Sequence, residues 1–346
     1  MRRVDHRALV VGAGRAGQAH VEALEQIGVQ VAGLVSGMAT AADPSSLHDP
    51  AIDVVHVATA NDLHAPIAGE ALSAGKHVVC EKPLASDLRQ AERLAALARS
   101  SGTKSTVCLN YRFMPLIAEL AARVTAGELG EIHLARGAFL QDWLLLVGDD
   151  DWRIDTSRGG VSRAAADLGV HWVDLVEVIT GRTVVAVVAQ VGYLHGRKTE
   201  DHAGLLVRFT GGMQGICVLS QATAGHRNDL ELSLDGAAGS ATWRGERKDE
   251  LWLGARDRAP VLITRADLRS PSARAMTAQR DVANEGRRNL LAAFYGSLDG
   301  QPPPVPLPTF DDGLRHVQFA SAAIVSAHRN AWVELESIRT VTLRVG

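Results

Sequence analysis

The sequence lacks several features that would place it in a specialised class of protein. Its three cysteines, Cys80, Cys108 and Cys217, are odd in number, lie far apart and show no CxxC spacing. That pattern argues against a disulfide framework or a cysteine zinc site and favours a reducing compartment, the cytoplasm. No apolar run reaches the ~18 residues of a membrane span. No stripe of Lys or Arg is present to neutralise phosphates, so neither a membrane nor a nucleic acid is expected as a partner.

Apolar residues, by contrast, are plentiful. The 346 residues are 46% hydrophobic with a net charge of −3, which predicts two domains, because the chain is too long for one ordinary core. The start, Met1-Arg-Arg, leads into a short apolar stretch that predicts a first strand. A twin-arginine export signal is the alternative interpretation of that start.

A glycine-rich turn follows this first strand. His6 to Val11 is apolar and β-branched, Gly12-Ala-Gly14-Arg-Ala-Gly17 comes next, and Gln18 to Ile27 has helical periodicity. In a strand-turn-helix of this kind, Gly12 makes the tight turn, Gly14 lets the backbone approach a pyrophosphate, and Gly17 lets the helix pack on the strand. The pattern predicts a dinucleotide site, with an ordinary glycine-rich turn as the alternative.

The second strand, Val29 to Val35, lacks the acidic residue that usually binds the ribose of NAD. Ser36-Gly37 stands at its end, and no Arg is adjacent. The sequence therefore leans toward NADP or toward use of both cofactors. Only fifteen residues separate Gly37 from Asp53, so the second βα unit of the sheet is predicted to be abbreviated, by roughly one helix and one strand.

Two further strands are predicted at Asp53 to Ala58 and His77 to Pro83, and the second ends in Glu81-Lys82-Pro83. Ligands of such sheets bind outside the carboxyl ends of the strands, so Lys82 is predicted to face the cofactor crevice. A solvated surface lysine is the alternative. Ser86 is predicted to cap the next helix, which runs through Arg99.

The stretch Asp167-Leu-Gly-Val-His171 is the candidate catalytic motif. On a helix, residues four apart share one face, so the carboxylate and the imidazole are predicted to lie side by side. Such a carboxylate fixes the tautomer of the ring, and the ring titrates near neutral pH, as proton transfer requires. A surface pair that supports the helix by a few tenths of a kcal/mol is the alternative.

The second half of the chain predicts an antiparallel meander, because alternating segments are separated by glycine-rich turns. Its apolar alternation on both faces predicts self-association. Helices are predicted at Asn284 to Leu298 and Asp311 to Arg329, with the proline-rich 301–308 as a spacer back to the first domain. The predicted strands are Val184 to Tyr193, His202 to Phe209, Gln214 to Ser220, Leu230 to Leu234, Ser240 to Trp243 and Glu250 to Leu253.

Four motifs in order resemble those of the glucose-fructose oxidoreductase, inositol dehydrogenase and rhizopine-catabolism (Gfo/Idh/MocA) family. They are GAGRAG at 12–17, CEKPLA at 80–85, NYRFMP at 110–115 and GGVSRAAADLGVHWVDL at 159–175. The resemblance implies an α/β plus α+β fold: a doubly wound parallel Rossmann domain at 1–114, and a substrate domain at 115–346. The second domain would be an open, mostly antiparallel sheet with helices on one face that forms a homodimer or homotetramer.

The resemblance also implies a reaction and the residues that perform it. The chain would transfer a hydride between NAD or NADP and a secondary alcohol of a sugar, glycoside or cyclitol. Lys82, Asp167 and His171 would be catalytic, with His171 exchanging the substrate proton, and no metal would be needed. Expected cofactor-binding residues are Gly12, Ala13, Gly14, Arg15, Ala16, Gly17, Ser36, Ala58, Thr59, Asn61, His64, Glu81, Lys82 and Pro83. Expected substrate-binding residues are Arg112, Gln141, Trp143, Trp152, Arg153, Asp167 and His171.

Two departures from the family pattern bear on specificity. The second Rossmann unit is shorter than in the family, and Ala283-Asn-Glu-Gly-Arg-Arg stands where a His-containing loop is expected. The shortened unit motivates a second hypothesis, a sugar or nucleotide sensor that binds without turnover. A metal-dependent hydrolase is disfavoured, because no set of carboxylates and histidines has ligand spacing without Asp167 and His171.

Overall fold

The computed structural model describes residues 6–277 and 284–338. The arginines of the possible export signal and Ala283 lie outside these ranges. The chain folds into two compact units. The described part of unit 1 comprises 6–113, 157–160 and 284–317, and that of unit 2 comprises 114–156, 161–277 and 318–338. The division at residue 114 remains a prediction.

Unit 1 contains a parallel sheet of five strands in the order β2-β1-β3-β4-β5. Strand β1 lies between β2 and β3, and its residues Ala8, Val10 and Val11 are fully buried. Apolar runs without alternation are typical of parallel strands covered on both faces. The strands are β1 Arg7–Val11, β2 Gln30–Val35, β3 Val54–Val57, β4 His77–Cys80 and β5 Ser105–Val107.

The helices of unit 1 follow the predicted pattern, with one correction at a cap. Asp87, not Ser86, caps the helix after β4, because its carboxylate accepts the N–H of Gln90 at 2.9 Å. The helices are α1 Arg15–Gln26, α2 Gly37–Ala42, α3 His64–Ser73, α4 Leu88–Ser100 and α9 Glu285–Leu298. A further helix, α10 Phe310–Arg329, is shared between the units at residue 317.

The stretch after β2 is abbreviated, as the sequence predicted. It forms the six-residue α2 and a 3-10 turn at Pro44–His48 before β3 begins at Val54. Residues 36–53, all of which the structure describes, contain no further strand, so β2 is the edge of the parallel sheet.

The proline-rich connection binds back to unit 1, which confirms the predicted spacer. The carbonyl oxygen of Pro308 accepts the hydroxyl of Thr106 at 2.7 Å and the N–H of Val107 at 3.2 Å.

Unit 2 contains a nine-stranded sheet in the order β13-β12-β11-β10-β6-β9-β8-β7-β14. It is mostly antiparallel, as predicted, but β6 lies between β9 and β10 and pairs in parallel with β9, so the predicted antiparallel meander is interrupted there. The strands are β6 Ile132–Leu140, β7 Val184–Gly192, β8 His202–Phe209, β9 Gln214–Ser220, β10 Asp229–Gly236, β11 Ser240–Arg244, β12 Leu251–Gly254, β13 Val261–Ile263 and β14 Val333–Glu334.

Helix α7 packs against β6 and β10 of this sheet. It ends at Gly181, whose φ of +67° is the left-handed conformation expected of a glycine C-cap. Gly137 in β6 makes room for the indole of Trp172, since a Cβ there would lie 2.1 Å from Nε1. The helices of unit 2 are α5 Pro115–Thr125, α7 Val170–Thr180 and α8 Pro271–Ala275, and α6 Thr156–Gly159 is shared between the units. Within the described ranges, no helix has the length and hydropathy to cross a bilayer.

Candidate active site

The glycine turn after β1 has the close approaches that its sequence predicts. Gly12 has a φ of +115°, and a Cβ there would lie 2.2 Å from the carbonyl oxygen of Ala58. A Cβ at Gly17 would lie 1.7 Å from the carbonyl oxygen of Gly12. Only glycine fits at these two positions, and the turn therefore holds β1, β3 and α1 close together.

The opposite side of the same turn is open. Ala13, Gly14 and Arg15 are exposed, and a Cβ at Gly14 would meet nothing within 4 Å. Gly14 is the N-cap of α1, no side chain caps the helix, and its first turn contains no acidic residue. Uncapped N–H groups with space in front of them fit the pyrophosphate of a dinucleotide. These residues fit the pyrophosphate that NAD and NADP share.

The residues predicted after β2 and β3 have different surroundings. Ser36 is exposed at the start of α2. Asn61 is buried and donates its amide to the carbonyl oxygen of Gly159 at 2.9 Å. His64 is buried, with Nδ1 2.7 Å from the carbonyl oxygen of Pro83 and Nε2 3.1 Å from that of Thr59. His64 therefore contacts the turn at Pro83 from the interior of unit 1. Among Ser36, Asn61 and His64, Ser36 is the residue whose polar side chain is accessible.

The Glu81-Lys82-Pro83 turn follows β4 and contains a cis peptide bond before Pro83. Glu81 is buried, and its Oε1 lies 3.0 Å from Arg287 of α9 and 3.1 Å from Nε2 of His20. Burial alone would raise the pKa of Glu81, but Arg287, His20 and Lys82 outweigh it and hold the pKa well below its usual value. Lys82 is half-buried.

The motif Asp167 to His171 differs from a regular helix. Ala165–Gly169 is a π-helical turn, and α7 begins only at Val170. The prediction of one continuous α-helical face is therefore wrong in detail, although the two side chains remain one widened turn apart. His171 is buried with its ring 6.0 Å from that of Phe139, and Asp167 is partly exposed.

Both oxygens of Asp167 have nitrogen partners in unit 2. Gln221 donates to Oδ2 at 2.6 Å, and Nε of Arg153 lies 3.6 Å from Oδ1. Nothing in the sequence identifies Gln221 as a partner of Asp167, because it lies 54 residues away in the loop after β9. The pairing depends on the packing of the π-helical turn against β9.

Gln221 is oriented by a buried arginine that the sequence also gave no reason to select. Arg163 donates to Oε1 of Gln221 at 3.1 Å and pairs with Asp201 at 2.5 Å. A guanidinium only donates, so it selects the carbonyl end of the amide. The amide nitrogen of Gln221 is thereby turned toward Asp167, which must accept.

Four predicted substrate residues cluster beside Asp167. Trp143 donates its indole N–H to Oε1 of Gln141 at 2.6 Å. The Arg153 guanidinium lies 4.3 Å from the ring centroid of Trp152 and 5.7 Å from that of Trp143. Both indoles are partly exposed, unlike the core residue Trp172. The structure thus places aromatic faces and hydrogen-bonding groups around one carboxylate.

Arg112 belongs to unit 1 and not to this cluster. It is buried and lies 3.5 Å from Asp312. Burial alone would raise the pKa of Asp312, but Arg112 and the N–H of Thr309 hold it below its usual value. This ion pair ties the Arg112 guanidinium to α10, and the predicted contact of Arg112 with substrate stays a prediction.

The described residues include one trio of potential metal ligands, His20, Glu81 and Cys108, whose ligand atoms lie within 4.8 Å of one another. The guanidinium of Arg287 already neutralises Glu81 from within the same cluster. Burial and the charge of Glu81 raise the pKa of the Cys108 thiol, so it does not supply a thiolate. These residues do not fit a metal ion.

Comparison with protein families gives matches in both units. A model described as the oxidoreductase family, NAD-binding Rossmann fold, matches residues 36–109. A model described as the GFO/IDH/MocA C-terminal domain matches residues 117–242.

Individual proteins are similar over most of the chain. Levoglucosan dehydrogenase of Pseudarthrobacter phenanthrenivorans is 27% identical over 326 residues, which cover 85% of this chain and 83% of that protein. A crystal structure of levoglucosan dehydrogenase with NADH and L-sorbose has a TM-score of 0.84 at 25% identity, covering 95% and 98% of the two chains. A crystal structure of an inositol dehydrogenase homolog complexed with NAD+ from Azotobacter vinelandii shares the fold, with a TM-score of 0.84 and 24% identity. The match covers 95% of this chain and 97% of that one.

Proposed function

The chain belongs to the Gfo/Idh/MocA family of NAD-binding oxidoreductases, and from this premise we propose that it oxidises a secondary alcohol of a sugar, glycoside or cyclitol. One relative that is similar over most of the chain is levoglucosan dehydrogenase. One observation within this chain carries the proposal: Asp167, Gln141, Arg153 and two partly exposed indoles form a single cluster. Aromatic faces suit the C–H surface of a sugar ring, and the polar groups suit its hydroxyls.

Three residues receive roles in this proposal. His171 takes the proton of the substrate hydroxyl on an imidazole nitrogen, and Asp167 orients the reacting alcohol. Lys82 donates to the same oxygen and stabilises the negative charge that develops there. When bound, the nicotinamide accepts the hydride from the carbinol carbon or returns it. Proton and hydride together account for the two hydrogens that the alcohol loses.

The test is a spectrophotometric assay at 340 nm with NAD and NADP against a panel of polyols, glycosides and anhydrosugars. We expect reduction of NAD with at least one member of the panel. Lys82→Ala and His171→Ala should each lower kcat by about 10² to 10⁴-fold, the range for loss of a group that moves or stabilises the proton.

Two exposed residues of the same types serve as controls. Lys198→Ala and His133→Ala remove side chains on the surface of unit 2 and should leave kcat unchanged. Full activity of the Lys82 or His171 variant would refute the assigned roles. Binding of NAD and a polyol by calorimetry, with no product over hours, would favour the sensor instead.

We also propose that a second copy of this chain covers the open face of the nine-stranded sheet. Leu206 and Ile216 are paired across β8 and β9 and are each 46% exposed, and Val218 on the same face is 50% exposed. Trp252, on the same face of β12, is 43% exposed. Apolar side chains this exposed on one face of a sheet are typical of a subunit interface.

The oligomer is tested by light scattering after gel filtration. Leu206→Glu should lower the measured mass to that of a monomer, because the carboxylate would lie between the apolar side chains of Val188 and Ile216. Met38→Glu changes an equally apolar exposed residue of unit 1 and should leave the mass unchanged. A wild-type chain that is monomeric at micromolar concentration would contradict the proposal.

A cytoplasmic location is also part of the proposal. It is supported by the three cysteines, which are all free and buried. Cell fractionation tests it, and recovery from an oxidising compartment would contradict it.

A further inference from the structure

A row of four side chains connects helix α9 to the Lys82 turn through the interior of unit 1. The hydroxyl of Tyr295 in α9 lies 2.8 Å from Nε2 of His56 in β3. Nδ1 of His56 lies 2.9 Å from Nδ1 of His20 in α1, and Nε2 of His20 lies 3.1 Å from Oε1 of Glu81. Both imidazoles are fully buried. Every polar atom of the two rings therefore has its partner within this row.

Only one arrangement of protons satisfies all four groups. Glu81 is ionised and can only accept, so Nε2 of His20 must carry a proton and donate. Burial lowers the pKa of His20 and lowers that of His56 well below its usual value, so both rings are neutral. Nδ1 of His20 then accepts, Nδ1 of His56 donates, and Nε2 of His56 accepts the hydroxyl proton of Tyr295. The chain of donors runs one way, toward Glu81.

Charged groups around the row support this direction. Arg287 of α9 donates to Oε1 of Glu81, and Asp53 faces the Tyr295 end. Burial, together with the charge of Asp53, raises the pKa of Tyr295 well above its usual value, so the phenol keeps its proton. His6 lies beside Tyr295, with ring centroids 5.8 Å apart.

The row ends beside a residue with an assigned role. Oε2 of Glu81 accepts the backbone N–H of Lys82 at 3.3 Å, while Oε1 receives His20 and Arg287. We propose that Tyr295, His56 and His20 are positioning residues that fix the carboxylate of Glu81 and, through it, the backbone from which Lys82 projects. This inference rests on the role proposed above for Lys82.

The proton arrangement is tested first, without any turnover. Long-range ¹H–¹⁵N spectra distinguish protonated from unprotonated ring nitrogens, and His20→Gln and His56→Gln variants assign the two rings. We expect His20 as the Nε2–H tautomer and His56 as the Nδ1–H tautomer, both unchanged from pH 6 to 8. Either ring in the other tautomer, or either ring charged in this range, would overturn the inference.

Positioning is tested by a matched pair of variants at His20. A glutamine amide both donates and accepts, whereas leucine does neither. We expect His20→Leu to lower kcat roughly ten- to a hundredfold through misplacement of Lys82, and His20→Gln to stay within about threefold of wild type. The dissociation constant for NADH should stay unchanged in both. Equal loss in both variants, or loss through NADH binding alone, would indicate a merely structural role.

Two further measurements keep the test decisive. Tyr295→Phe removes one hydroxyl without altering shape and should lower kcat in the same direction, so it replaces His20→Leu if that variant fails to fold. Trace acetylation read by peptide mass spectrometry measures the reactivity of Lys82, with Lys198 as internal control. If His20→Leu changes the acetylation rate of Lys82 and not that of Lys198, the positioning role is supported even if the wild type oxidises no polyol. An unchanged acetylation rate of Lys82 would refute the positioning role.

Discussion

The buried arginine behind Gln221 offers the sharpest stability prediction. Arg163 is 1% exposed and pairs with Asp201, which is fully buried, while also donating to Thr199 and Gln221, each at 3.1 Å. Arg163→Met keeps most of the unbranched stem and removes the charge. Asp201 would then keep Arg197 at 2.7 Å as its remaining cationic partner.

The expected cost follows from this arrangement. Removing one partner of a buried ion pair lowers the free energy of unfolding by about 3 to 5 kcal/mol. Because Arg197 remains beside Asp201, we expect Arg163→Met to lower it by about 3 kcal/mol, the lower end of that range. With an m-value of about 2 kcal/mol per molar urea, the unfolding midpoint should fall by about 1.5 M. All six tryptophans belong to unit 2, so their fluorescence reports the unfolding of the unit that contains the pair.

A surface pair in the same unit provides the matched control. Arg247 lies 3.7 Å from Glu250, but its side chain is 69% exposed, so Arg247→Met should cost less than about 1 kcal/mol. Midpoints that agree within error for the two variants would refute the reasoning. A second check is Asp201→Leu alone, which should cost at least as much as Arg163→Met because it leaves two buried guanidinium groups, Arg163 and Arg197, without their carboxylate.

Three more predictions concern a cap, a cofactor contact and the thiols. Asp87→Ala should destabilise unit 1 by about 1 kcal/mol through loss of the α4 cap, whereas Ser86→Ala should be neutral. Equal losses of stability for the two variants in thermal unfolding would contradict the assignment of Asp87 as the cap. Ser36→Asp should lower kcat/KM for NADP relative to NAD by about tenfold, and an unchanged ratio would show that Ser36 does not face the ribose. Burial raises the pKa of all three cysteines, so at pH 8 a thiol reagent should react with the unfolded chain and not with the native one.

The order of elements in unit 1 could be predicted because its signals are local. The glycines at 12, 14 and 17 specify a turn, and the shortness of 37–52 leaves no room for another strand. Strands β8 and β9 were predicted with the bounds that the structure shows, because apolar runs flank the Thr210-Gly-Gly turn that separates them.

Features that depend on pairing across long distances could not be predicted. Strand β6 was not identified, and its parallel alignment with β9 joins segments about 80 residues apart. The contacts of Gln221 with Arg163 and Asp167 arise only when the segment before α7 packs against β9. The same holds for His20 and His56, whose contact joins a helix to a strand. A single sequence carries no signal for such contacts.

The π-helical turn at Ala165–Gly169 has a consequence for any attempt to re-engineer this chain. Such a turn holds one residue more than an α-helix of the same rise. Deleting Leu168 would let the segment relax into regular α-helical geometry and leave Asp167 and His171 three residues apart instead of four. The number of residues in this turn therefore affects the site as much as their identity does. Deletion of one residue here should lower activity more than most single substitutions in the turn.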